Sequence, residues 1–212
     1  SRGLGDVYKR QALMLHKYDL SLNKKLFSGG RMNQVEPIRN TEDIQKMYTI
    51  LRSRSQRDYL LFKFAIHTGV KLCELLNMKV HRLTSVESGN IKSTWIDNVD
   101  PSIQILLPPD LRNELQDYIN HYQIQEDKLI FQSLRTGKGL SRQQAYRIIH
   151  KAAEESNIPH VGLTTLRKTF AYHAYQSGIS ISIIQKYLGH QTTHETMKFI
   201  GIKDKTHNNT VI

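Results

Sequence analysis

TTLRKTFAYHAYQSGISISIIQKYLGHQTTHETMKFIGI, residues 164–202, decides the fold. Gly178 and Gly189 punctuate it, because glycine ends a helix without the steric penalty of a left-handed residue. Three helices are predicted: Thr165 to Gln176, Ser180 to Leu188, and Thr193 to about Ile200. Each carries apolar residues at helical spacing, so each has one face to bury.

Working towards the N-terminus, Ser141 with Gln144 forms a capping box. It opens a helix to about Glu155 whose apolar face is Ala145, Ile148, Ile149 and Ala152 and whose other face starts with Arg142, Gln143 and Arg147. The loop before it, Arg135 to Leu140, is basic and carries glycine. Further back, Asp110 is expected to cap a helix with Leu111, Leu115, Tyr118, Ile119 and Tyr122 on one face, and KLIF reads as a short strand or extended link. Between Val80 and Leu107 the β-branched and aromatic residues of IKSTWID and SIQILL, separated by turn formers, predict a small antiparallel sheet. Arg57 to His67 is apolar nearly all round and reads as a buried helix stopped by Gly69, with a short helix at Lys71 to Asn77. An amphipathic helix starts at Asn40, with Glu42 and Asp43 in its first turn and Ile44, Met47, Tyr48 and Leu51 on one face. The fold class is therefore α+β, mostly α-helical, a helical bundle with a small antiparallel β-sheet.

The 212 residues suit one domain, and thirty basic against nineteen acidic side chains give a net charge of +11, which suggests a polyanionic partner. No apolar run approaches a membrane span, so no membrane partner is expected and the location is read as cytoplasmic. The single cysteine, Cys73, fits a reducing compartment and excludes an internal disulfide. His190 and His194 sit four apart, but Gln191 stands where a zinc-binding helix of the HExxH type needs glutamate, so no metal and no cofactor is expected. Residues 1–31 hold seven basic and two acidic side chains with no sustained period. Their opening, SRGLGDVYKRQ, resembles a translated sequencing-adapter fragment, which makes 1–31 a non-native or disordered leader and Met32 the start; an ordinary basic arm is the other reading. A domain over 32–203, folded from near Val35, and a polar tail at 204–212 complete the layout.

HTGVKLCELLNMKV, residues 67–80, followed later by the 164–202 stretch, resembles the two signature boxes of the tyrosine recombinases, the phage integrase family. The resemblance runs from Val35 to about Ile202 and is strongest to short integrase-like proteins without a separate N-terminal DNA-binding domain. It implies double-stranded DNA as partner and DNA integration and recombination as process. In that family a tyrosine hydroxyl attacks a DNA phosphate to give a 3′-phosphotyrosyl link, which a 5′-hydroxyl reverses without metal or nucleotide. Two arginines hold the phosphoryl oxygens while histidines and a lysine manage protons.

Carried over by position, the second arginine is Arg167 of TLRKTF and the histidine of the LGH segment is His190. The first arginine falls on Lys71, which keeps the charge and loses the two-pronged geometry. The histidine before Arg167 falls on Thr164, and the nucleophile falls on Phe199, whose ring is expected to pack in the core. The sheet hairpin lysine has no clear counterpart, since the expected turn, Asn98 to Ser102, contains none and Lys92 is placed on the preceding strand. The resemblance thus implies a DNA-binding scaffold with a degenerate active site and little or no cleavage. DNA contacts are expected from Arg135, Lys138, Arg142, Gln143, Arg147 and Lys168. Three roles stay open: a partner or regulator of an active recombinase, including self-association on DNA; a recombinase active by itself or complemented in trans; and a decayed gene fragment.

Overall fold

The computed structural model describes residues 35–96 and 103–202. The leader at 1–31, the tail at 204–212 and the turn at Asn98 to Ser102 lie outside the described residues.

Helix α1 spans Thr41–Arg54, where the Asn40 side chain accepts from the Glu42 amide at 2.9 Å and Ile44, Met47 and Leu51 are buried. Its neighbour α2, Gln56–Thr68, is buried at every position from Asp58 onward and forms the central strut of the core. It packs against α1, against α5 (Pro109–His121) and against α7 (Leu163–Gln176). A buried lysine within such a helix needs a counter-charge, and Lys63 finds two on α5, Asp110 at 2.7 Å and Glu114 at 2.8 Å. Asp110 therefore does not cap α5. The helix begins one residue earlier at Pro109, whose fixed φ suits a first helical position, and leaves the Asp110 carboxylate to the ion pair.

The region 80–107 is not all sheet. Helix α3, Leu72–Leu76, is followed by a single helical turn, α4, at Val80–Leu83, because Val80 and Leu83 bury on one side while the Val80 and His81 amides donate to the Lys128 and Glu126 carbonyls. Thr94–Ile96 (β1) and Gln104–Leu106 (β2) pair, antiparallel, with Trp95 opposite Ile105 and both buried, and Thr84 forms a single bridge with Ile91. The Trp95 ring meets the edge of Phe64 on α2 at 5.7 Å, which seats the ribbon on the core. Lys92 is in the link before β1 rather than on a strand, and its Nζ donates to the Arg82 carbonyl at 3.4 Å. KLIF contributes one bridge, Lys79 to Leu129.

The capping box at Ser141 starts α6, Arg142–Glu155, with both reciprocal bonds present at 3.1 and 2.8 Å. Helices α7, α8 (Ile181–Leu188) and α9 (Thr193–Ile200) follow, close to the spans predicted. Residues 35–39 lie across α7, where the Ile38 amide donates to Thr169 Oγ1 and the Ile38 carbonyl meets His173 Nε2, both at 2.9 Å. No helix among the described residues is long and apolar enough to cross a membrane.

His67, on the buried strut, gives the fold a pH dependence. Burial, reinforced by the Lys63 charge, pushes its imidazole down from 6.5 to about 4, so the native ring stays neutral. The unfolded chain takes up the proton below about pH 6.5 and the fold refuses it until about pH 4. Stability is thus complete above pH 6.5 and falls by about 3 kcal/mol between these limits, at 1.36 kcal/mol per pH unit. Urea titrations of the parent and His67→Gln at pH 7 and pH 4 check this: the parent should lose about 3 kcal/mol more than the variant over that interval. Equal losses would refute it.

Candidate functional site

The site is built on the turn that ends α2. Gly69 closes that helix at φ 64°, and a Cβ there would meet the Phe170 ring at 2.3 Å, so only glycine lets α7 come this near. The close approach delivers Arg167. Its Nε donates to the Gly69 carbonyl at 3.0 Å and its Nη2 to the Tyr187 carbonyl on α8 at 3.1 Å. The Tyr187 hydroxyl in turn donates to the Thr68 carbonyl, so the end of α2, α7 and α8 hold one another through backbone oxygens. These neutral acceptors orient the guanidinium without cancelling its charge.

Lys71 is the N-cap residue of α3, half-buried, and its side chain makes no hydrogen bond or ion pair to the described residues. Thr164 is exposed in the first turn of α7. Lys71, Thr164, Arg167 and Phe199 line one cleft of about 300 Å³, together with Arg142 and apolar residues of α2, α3 and α7. No acidic side chain is among its lining residues. Phe199 packs against the core without being enclosed in it. It is half-buried on α9, with its ring 5.0 Å from the His190 ring and 5.2 Å from the Lys168 ammonium. His190 stands behind Phe199, its Nδ1 3.0 Å from Thr196 Oγ1. Burial lowers its pKa; the Glu195 charge opposes this shift and the Arg167 charge adds to it.

The residues expected to meet DNA divide into four groups. Arg135, Lys138 and Arg147 surround a second hollow of about 480 Å³, with Gln144 and Arg57 also on its walls. Gln143 is exposed on the first turn of α6, outside both lining sets. Lys168, expected to meet DNA, is instead buried: its Nζ donates to the Val35 carbonyl at 2.8 Å, and burial lowers its pKa, so it is not a surface cation. Arg142 was expected on the α6 surface and is also a wall of the cleft. Arg57 lines the hollow and Cys73 the cleft, roles that no local pattern marked.

Known proteins share the sequence pattern and the fold of this chain. The model of the Phage integrase family matches residues 39–205. "Probable integrase/recombinase YoeC" of Bacillus subtilis (strain 168) is 35% identical over 177 residues, covering 82% of this chain and 94% of that protein. A "Tyrosine recombinase" of Pseudothermotoga lettingae is 28% identical over 191 residues, covering 82% of this chain but 63% of its own length. Among solved structures, the crystal structure of XerA recombinase superposes with a TM-score of 0.63 at 19% identity, over 84% of this chain and 62% of that one. XerH site-specific recombinase bound to difH substrate in a pre-cleavage complex superposes with a TM-score of 0.59 at 19% identity, over 78% of this chain and 50% of that one. The chain thus spans nearly all of the Bacillus protein and less than two thirds of the other three.

Proposed function

The chain belongs to the phage integrase family, the tyrosine recombinases of DNA recombination and integration, and from that membership we propose that it binds duplex DNA without cutting it. The observation that carries the reading is the Phe199 ring on the wall of the cleft that holds Arg167. Phosphoryl transfer of this kind needs an oxygen nucleophile, and a phenyl ring has none. Phenylalanine keeps the packing against His190 and Lys168, so the scaffold survives the loss of the reaction. The two basic concavities flank the start of α6, which suits a phosphate backbone crossing that helix N-terminus, while Gln143 offers an amide to base edges. The role that follows is occupancy of a recombination site, beside an active recombinase or further copies of this chain.

The test has two stages. Selection from a random duplex pool should yield a preferred sequence, and a nicked suicide version of it should acquire no covalently attached protein. Covalent attachment by the unmodified chain would replace this reading with that of a working recombinase. Enrichment of single-stranded RNA over duplex DNA would remove it altogether.

Salt dependence adds a quantitative expectation. Affinity should fall as salt rises with a log-log slope of about −0.9 per phosphate neutralised. Arg147→Ala should weaken binding and make the slope shallower by about 0.9, measured by fluorescence anisotropy across a potassium chloride series. An unchanged slope would show that Arg147 does not meet a phosphate.

A further inference from the structure

We infer that Arg142 is the second guanidinium of a phosphoryl-oxyanion site in the cleft, supplying from α6 the two-pronged contact that Lys71 cannot make. The inference deepens the DNA-binding proposal and rests on it for the natural source of the phosphate.

Three cationic side chains, Lys71, Arg142 and Arg167, line a cleft of about 300 Å³ with no carboxylate among its lining residues. The Lys71 and Arg142 side chains make no hydrogen bond or ion pair to the described residues, and Arg167 donates from Nε and Nη2 to the Gly69 and Tyr187 carbonyls. Like charges gathered in one concavity repel unless an anion enters, and the field they sum to draws one in. An ammonium offers that anion a point charge, whereas a guanidinium offers two parallel donors matched to two phosphoryl oxygens.

Arg142 is held ready for this. It is the first residue of α6, and the reciprocal bonds between Ser141 and Gln144 fix the turn on which it stands. Helix α3, which starts directly after Lys71, packs on α6, so the two walls are joined through the core. Arg142 and Arg147 are five residues apart, about 140° around the helix axis at 3.6 residues per turn. That angle is why one lines the cleft and the other the second hollow.

The cleft carries its own reporter, because Cys73 is the single cysteine, is exposed, and is a lining residue. The full chain is alkylated with iodoacetamide at constant ionic strength while inorganic phosphate replaces chloride. Phosphate should slow the alkylation of Cys73. Arg142→Ala should raise the half-protecting concentration about tenfold, the scale of one charge-assisted bidentate contact. Arg142→Lys should recover only part of that, while Lys46→Ala, which removes one positive charge from α1, should leave it unchanged. An Arg142→Ala half-point equal to the parent's, or no protection of the parent, overturns the assignment.

A parallel arm uses the selected duplex in place of phosphate. Protection at lower concentrations than free phosphate, weakened by Arg142→Ala, identifies the DNA backbone as the source. Protection by phosphate but not by duplex, still dependent on Arg142, keeps the site and overturns the DNA reading instead.

Discussion

Covalent protein–DNA adduct, absent with the unmodified chain and scarce with Phe199→Tyr alone, should become abundant when Phe199→Tyr, Lys71→Arg and Thr164→His are combined. The first substitution restores only an oxygen. The phenol then lies beside His190 and the Lys168 ammonium, which stand 5.0 and 5.2 Å from the present ring, but Thr164 offers no imidazole and the fork that Arg142 brings from α6 does not stand at position 71. Lys71→Arg brings back the fork on a position already lining the cleft. Thr164→His places an imidazole in the first turn of α7, at an exposed position with room for it. General acid-base groups are worth about 10² to 10⁴ in rate, and groups that act as a unit recover more together than singly. The triple variant should therefore exceed Phe199→Tyr by about 10² or more, scored on a nicked suicide duplex of the selected sequence. A triple variant no faster than the single one would mean that the cleft is not arranged for in-line attack. Adduct from the unmodified chain would show that cleavage had never been lost.

The three C-terminal helices are legible in the sequence because their signals are local. A cap, a glycine stop and an apolar face all lie within a dozen residues of one another, as at Ser180 and Gly189, where Gly189 takes φ 74°. The capping box of α6 was readable for the same reason. What failed depended on partners far along the chain. Lys168 follows Arg167 and shares its basic character, yet one residue of rotation around α7 turns it under Val35, a segment 133 positions away. Asp110 has the composition of a cap, but Lys63 on α2 claims its carboxylate. Val80 is a β-former by propensity, yet Val80–Leu83 closes a helical turn because the Lys128 and Glu126 carbonyls accept from the Val80 and His81 amides there. The same limit applies to the site. Family resemblance singled out Lys71, Thr164, Arg167 and Phe199, and the fold brings all four to one cleft; it could not show Arg142 and Cys73 as walls of that cleft, since only the packing of α3 on α6 puts them there.

Gly69 makes that dependence on packing measurable, and Gly69→Ala should cost about 4 kcal/mol in stability. Two terms add. An alanine at φ 64° pays about 1 to 2 kcal/mol for the left-handed conformation. Its methyl would also lie 2.3 Å from the Phe170 ring, and forcing such a ring aside in a packed core costs about 1 to 3 kcal/mol. Gly178→Ala separates the terms, because φ there is 92° and nothing lies within 4 Å of the added Cβ. That variant should lose the backbone term alone, about 1 to 2 kcal/mol. Urea unfolding of both variants decides the point, and equal losses would show that Phe170 yields freely. The consequence for the site follows from the same contact. Phe170 is three residues beyond Arg167 on α7, and the Gly69 carbonyl is an acceptor for Arg167 Nε, so displacing the ring moves both the guanidinium and the oxygen that orients it. Phosphate protection of Cys73 should then weaken in Gly69→Ala under conditions where the chain is still folded, and stay at the parent's level in Gly178→Ala.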